Sequence, residues 1–179
     1  AFAEVHRVLP GCTASSPYEL RLAHEEFGGE IHAYAPVYTD CGFPSFAQQC
    51  THLTFNSLTQ YERFRNHASG VSLGLRVNPE YSPVEADLYN PCVAGSRLGI
   101  RAEQLGERLP EGIEGLHVHN LCECGAEATA RTLVAIEDHF GRFLADLRWL
   151  NLGGGHLMTR QGYDVAGLIA ALLAFRQRH

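Results

Sequence analysis

The sequence predicts an α/β protein with a parallel sheet, and three observations predict it. Short apolar runs rich in β-branched residues alternate with amphipathic runs of helical period, six times in 179 residues. Such alternation is what βαβ units with right-handed crossovers produce. Apolar residues make up 45% of the chain, enough for a real core at this length. No internal repeat or linker interrupts the pattern. Two closures suit six units: a doubly wound open sheet, or a piece of a (β/α) barrel, because eight regular units need about 250 residues.

The elements follow in order. Residues 12–15 read as a strand. Pro17 suits a helix first turn with Ser16 as its cap, and the helix runs through Leu20, Leu22 and Phe27 to Gly28-Gly29. Residues 31–35 form the next strand, 40–50 a weaker helix, 53–55 a strand and 57–68 a helix ended by Gly70. Residues 71–77 are apolar except Ser72 and Arg76 and read as a strand. The stretch 78–96 is broken by Pro79, Pro83, Asn90-Pro91 and Gly95. A loop this long points to an active-site segment or lid rather than a plain connector. A short helix is expected over 101–108, a strand over 113–119 and a long helix over 127–147 with Leu133, Ile136, Phe140, Phe143, Leu144 and Leu147 on its apolar face. A strand over 149–152 and a helix opened by Asp164 complete the chain.

Composition excludes several classes. Lysine plus arginine is 14 and aspartate plus glutamate 20, a formal charge of −6. A dedicated nucleic-acid binder needs a basic face, so none is expected. No apolar run approaches the about 18 residues of a membrane helix. Six cysteines in a chain this long do not make a disulfide framework, and the first residues carry no secretory pattern, so the cytoplasm is the expected home. Every cationic side chain is arginine; there is no lysine. Lysine-dependent chemistry is therefore beyond these residues alone.

In either closure ligands bind at the carboxyl ends of the strands. Asn151-Leu152-Gly153-Gly154-Gly155 follows the last strand. Three glycines let backbone approach an anion and turn N–H groups toward it, a phosphate cradle, though a flexible turn has the same composition. His117-Val118-His119-Asn120-Leu121-Cys122-Glu123-Cys124 places two imidazoles on one strand face. Zinc is one reading of His117, His119, Cys122 and Cys124, but the cysteines are one residue apart rather than the usual two to four. His117 reads better as a core histidine and His119, nearer the strand end, as the ligand-facing one; no metal is expected. Arg76 stands alone in an apolar strand, and a buried charge there neutralises a carboxylate or holds an anionic ligand. Gly95-Ser96-Arg97-Leu98-Gly99-Ile100 closes the long loop, either as punctuation or as an arginine offered to substrate. Cys12, Cys41, Cys50 and Cys92 have no metal or redox spacing, and Tyr34, Tyr38 and Tyr163 read as packing before they read as cleft lining.

The ordered set becomes specific when Thr13-Ala14-Ser15-Ser16-Pro17-Tyr18-Glu19, Phe27-Gly28-Gly29-Glu30-Ile31-His32-Ala33-Tyr34 and Leu75-Arg76-Val77-Asn78-Pro79-Glu80 are read with the later segments. Those are Tyr89-Asn90-Pro91-Cys92, Gly95 to Ile100, Gly115 to Glu123 and Asn151 to His156. Nearly the whole chain resembles the carboxynorspermidine (carboxyspermidine) decarboxylases, alanine-racemase-like (fold type III) pyridoxal-phosphate enzymes. The resemblance implies that residues 1–179 are a partial pyridoxal-phosphate-binding (β/α)8 TIM barrel, about strands 2 to 7, from an enzyme of polyamine biosynthesis. It implies pyridoxal 5'-phosphate held by His119, Cys122, Gly153, Gly154, Gly155 and Arg76, with Arg97 and His156 toward a carboxylated polyamine substrate. It also implies a homodimer, a Schiff-base lysine upstream of Ala1, an acidic partner for the pyridine nitrogen beyond His179, and a C-terminal β domain outside the sequence. On that reading these 179 residues are an internal fragment, inactive alone. A non-catalytic phosphate-ligand or zinc-binding α/β module is the alternative.

Overall fold

The computed structural model describes residues 2–179. Among the described residues, six strands and five α-helices follow a short N-terminal helix, α1 (Phe2–His6), that the sequence reading did not anticipate; a helix succeeds every strand except β4. The strands lie in sequential order, β1 to β6, and β1 through β4 pair in parallel. Contacts divide the chain into two compact units. One holds the chain up to residue 76 with 110–116; the other holds 77–109 and 117–179.

The first unit carries β1 (Gly11–Ala14), α2 (Pro17–Leu22), β2 (Glu30–Tyr34), α3 (Phe43–Gln49), β3 (His52–Phe55), α4 (Leu58–Phe64), β4 (Ser72–Arg76) and most of β5 (Ile113–His117). Helix α2 starts as expected: the Ser16 hydroxyl accepts from Glu19 N, while the Glu19 carboxylate accepts from Ser15 N. Past Leu22 the helix widens into a π-helical turn over Ala23–Phe27 before Gly28 stops it. The expected helix over 40–50 begins only at Phe43, since Thr39 accepts the amides of Gly42 and Phe43 and holds the preceding residues in a turn. Its core is aromatic: Tyr38, Phe43, Phe46, Phe55 and Phe64 pack together, with Phe43 and Phe64 stacked at 4.4 Å. Tyr38 is packing, as expected; its hydroxyl donates to Thr54 O at 2.9 Å.

One row across this unit is polar. Thr13, His32, His52 and Ser72 stand in register on successive strands, and Ser72 Oγ donates to Glu114 Oε2 at 2.6 Å on β5. The imidazoles of His32 and His52 are parallel to within 5° with centroids 4.0 Å apart.

The second unit carries the long loop, α5 (Ala126–Leu144), β6 (Trp149–Asn151) and α6 (Val165–Arg178). Helix α5 buries Leu133, Ile136, Phe140, Phe143 and Leu144 of the face read from the sequence, but it ends at Leu144, so Leu147 falls in the turn that follows, where Leu147 N donates to Leu144 O. Asp164 caps α6 by accepting from Gly167 N. The loop over 78–96 is pinned at its start: Asn120, 1% exposed, donates to Tyr81 O and Thr132 Oγ1, and its carbonyl accepts from Ser82. The helix expected over 101–108 is a correction: only a 3-10 turn forms over Ala102–Gln104. Ala102 O accepts from Leu105 N within that turn and from Arg142 at 3.1 Å, Gly106 O accepts from Arg142 at 3.4 Å, and Gly106 is itself a poor helix residue. The expected strand over 113–119 ends at His117, so His119 stands in the loop that follows. Beside β6, Leu144, Leu147, Trp149, Leu152, Leu172 and Phe175 line an apolar trough of about 340 Å³. On α6, Val165, Ile169 and Leu173 follow one another at four-residue steps, each about half exposed. Among the described residues, no helix is long and apolar enough to cross a membrane.

Candidate functional site

In the second unit the chain leaves β6 through a bend that only glycine permits. Gly153 has φ +68° and Gly155 φ +99°, the left-handed region that side chains disfavour. A Cβ on Gly153 would lie 2.7 Å from Val118 O and 3.0 Å from His119 Cγ; one on Gly155 would lie 2.2 Å from Leu121 O. The bend therefore sits flush against the loop carrying His119 and Cys122. Val118 N donates to Asn151 O, and Cys124 N to Gly155 O, both at 2.8 Å, which fixes the two segments side by side.

The three amides of the bend are not equivalent. Gly153 N donates to Asn151 Oδ1 at 2.8 Å, an Asx turn made by the residue two before it. Among the described residues no acceptor bonds the amides of Gly154 and Gly155, and a Cβ on Gly154 would meet nothing within 4 Å. Two successive free N–H groups at a bend, with open space at the middle residue, suit an oxyanion. His119 and Cys122 are exposed beside it, and His117 is buried, as its core reading requires, with its ring 5.9 Å from that of His119. His156 closes the segment: its Nδ1 is 3.0 Å from Tyr163 OH and 3.4 Å from Thr129 Oγ1, near the start of α5. Arg97 is exposed in the segment closing the long loop, where Ser96 Oγ accepts from Leu98 N. Among the described residues, no three His, Cys, Asp or Glu side chains are grouped to hold a metal ion, so His117, His119, Cys122 and Cys124 do not converge as a zinc site.

In the first unit Arg76 ends β4 and is 5% exposed. Its Nη1 donates to Tyr34 OH at 2.5 Å, and that hydroxyl donates to Asn56 Oδ1 at 2.9 Å. The guanidinium carbon lies 5.0 Å from the Tyr34 ring centroid. Burial raises the Tyr34 phenol above its ordinary value, against the lowering pull of Arg76, so the group is a neutral phenol around neutral pH. The sequence signal for this triad was weak: Tyr34 read as packing and Asn56 drew no notice. The Asn151 turn was legible in principle, from an asparagine two residues before a glycine.

No family model matches the chain. A carboxyaminopropylagmatine decarboxylase of Synechocystis sp. is 54% identical over 173 residues, 96% of this chain and 45% of that protein. A carboxynorspermidine/carboxyspermidine decarboxylase of Campylobacter jejuni is 41% identical over 175 residues, 98% of this chain and 46% of the other. The chain is related to the carboxy(nor)spermidine decarboxylases. The crystal structure of the Campylobacter jejuni carboxynorspermidine decarboxylase, complexed with norspermidine, superposes with a TM-score of 0.88 at 38% identity, over 99% of this chain and 46% of that one. A diaminopimelate decarboxylase shares the fold at a TM-score of 0.74 and 19% identity. The carboxy(nor)spermidine decarboxylases thus supply the α/β half-barrel architecture, as the resemblance implied. The chain spans about half the length of the curated decarboxylases it matches.

Proposed function

We propose that the protein carrying this chain decarboxylates carboxynorspermidine or carboxyspermidine with pyridoxal 5'-phosphate, in polyamine biosynthesis. The 54% identity to a carboxyaminopropylagmatine decarboxylase adds the guanidino counterpart as a third candidate substrate of the same class, a carboxylated aminopropyl chain on an amine. The observation that supports the cofactor reading is that the glycine bend runs so close to His119 that a Cβ on Gly153 would come within 3.0 Å of its Cγ. An anion on this bend sits beside an imidazole, the pairing a phosphate-bearing aromatic cofactor requires.

When bound, pyridoxal phosphate supplies an electron-withdrawing ring that takes up the electron pair left as carbon dioxide departs. The chain's residues bind and orient. The amides of Gly154 and Gly155 hold the phosphate, with Gly153 shaping the bend through Asn151. Cys122 would lie beside the phosphate, since its backbone nitrogen is 3.0 Å from where a Cβ on Gly155 would stand. The imidazole of His119 would stack on the ring of the bound cofactor. The resemblance alone adds Arg76 as a residue that would lend the cofactor a positive charge. Arg97 and His156 face the substrate, His156 with Nδ1 directed toward Tyr163 and Thr129. The homodimer and the cytoplasmic home belong to the same proposal.

The test is direct. Expressed with whatever residues flank the chain in its gene and supplied with pyridoxal phosphate, the protein is expected to release carbon dioxide from at least one of the three substrates. Release from none of them defeats the proposal.

A further inference from the structure

We propose that Cys122 and Cys124 form a peroxide-sensitive thiol pair whose oxidation to a disulfide loosens the glycine bend. The disulfide stands on the geometry of residues 122–124 alone; its effect on cofactor binding rests on the reading of the bend as the phosphate site.

Three features of the short loop before α5 converge. Cys122 is exposed, so its thiol meets small solutes, and Cys124 is half-buried two residues on. Glu123 between them has φ +53°, the left-handed region that few side chains enter. Cys124 Sγ donates to Cys122 O at 3.1 Å, so the second thiol is folded back over the first residue. A disulfide needs its two Cα atoms about 4.4–6.8 Å apart. Residues two apart span at most about 7 Å in an extended chain, and the bend at Glu123 draws them closer. Rotation about the Cα–Cβ bond of Cys122 then brings sulfur to sulfur. By contrast, burial raises the Cys12 thiol above its ordinary value and pushes Cys50 up to about 12, which keeps both protonated and inert.

The oxidant is a peroxide. The Cys122 thiolate attacks one peroxide oxygen and breaks the O–O bond, leaving a sulfenic acid and, once the departing hydroxide takes a proton, water. Cys124 sulfur then displaces hydroxide from the sulfenic acid, its own proton completing a second water. Two thiols give up two electrons, one S–S bond forms, and one peroxide becomes two waters. The bend feels this closure. Cys124 N donates to Gly155 O at 2.8 Å, and Cys124 O accepts from Leu157 N at 3.3 Å. Cys122 N lies 3.0 Å from the point a Cβ on Gly155 would occupy. Drawing the two cysteine Cβ atoms to about 3.8 Å swings the Glu123 peptide and pulls on these contacts. The Gly155 amide, one of the two that suit an oxyanion, moves with them.

The test uses the protein expressed with its flanking residues, reduced, freed of cofactor and treated with hydrogen peroxide. Iodoacetamide and trypsin follow. Cleavage after Arg108 and Arg131 yields a peptide that holds Cys122 and Cys124 and no other cysteine. Before treatment this peptide is expected to take two alkyl groups; after it, none, with a mass lower by two hydrogens. Absorbance titration is expected to show pyridoxal phosphate bound about tenfold more weakly by the oxidised protein, the size of one hydrogen bond to a charged group, with recovery after dithiothreitol. Two alkylated thiols at a peroxide dose that consumes free cysteine overturn the proposal. So does added oxygen on Cys122 in place of the bridge, or a bridge from either residue to any other cysteine. A Cys122–Cys124 disulfide with affinity within twofold of the reduced protein overturns the control of the bend. A reduced protein that takes up no pyridoxal phosphate overturns the phosphate-site reading and that control with it, while the peptide mass still decides the disulfide.

Discussion

Single residues decide the shape of the candidate site, and glycine decides most. At Gly155 the backbone is left-handed and a methyl group would strike Leu121 O at 2.2 Å. Gly155→Ala is therefore expected to cost about 2 kcal/mol or more in denaturant unfolding. Gly154→Ala, whose Cβ meets nothing within 4 Å, is expected to change stability by less than about 0.5 kcal/mol. Equal costs at the two positions would contradict this geometry. His32 gives a pH signature. Burial, then the neighbouring His52, lower its pKa from 6.5 to about 4. The unfolded chain binds a proton below about 6.5 that the folded chain refuses, so stability falls as pH drops from 6.5 toward 4 and this group adds no further loss below that. His32→Gln is expected to flatten the slope of melting temperature against pH across that window. These residues were unequally legible. Three consecutive glycines at a strand end announce a special backbone. The Tyr34–Asn56–Arg76 contact joins positions 22 and 42 residues apart, and only strand register brings them together.

At the scale of elements, local chemistry set most boundaries. Ser57 caps α4 by accepting from Gln60 N at 3.1 Å, while Gln60 Oε1 accepts from Asn56 N. Ser57→Ala is expected to cost about 1 kcal/mol, read as a shift in the thermal midpoint. Because the same turn anchors Asn56, this variant should also weaken the hold on Tyr34. Caps at Ser16, Ser57 and Asp164 and the stop at Gly28 can be read from residue type alone, since each satisfies a backbone group within five residues. The missing helix over 101–108 could not be; Arg142, some 36 to 40 residues away, bonds the Ala102 and Gly106 carbonyls of the segment. The π-helical turn over Ala23–Phe27 was likewise hidden inside an ordinary amphipathic pattern.

At the scale of the whole molecule, the alternation of strands and helices was plain, and the parallel sheet followed from it. Periodicity left open whether the sheet is an open one or part of a barrel; only the ordered motifs distinguished them, and the match to the solved carboxynorspermidine decarboxylase agrees. The sequence contains no lysine. On the proposed chemistry, the purified 179-residue chain is expected to release no carbon dioxide from any of the three substrates, and measurable turnover would show that its arginine-only composition suffices. The apolar trough beside β6 and the half-exposed Val165, Ile169 and Leu173 on α6 have a practical side. Made by itself, the polypeptide is expected to bind hydrophobic dyes through that row on α6, and an absence of dye fluorescence would speak against it.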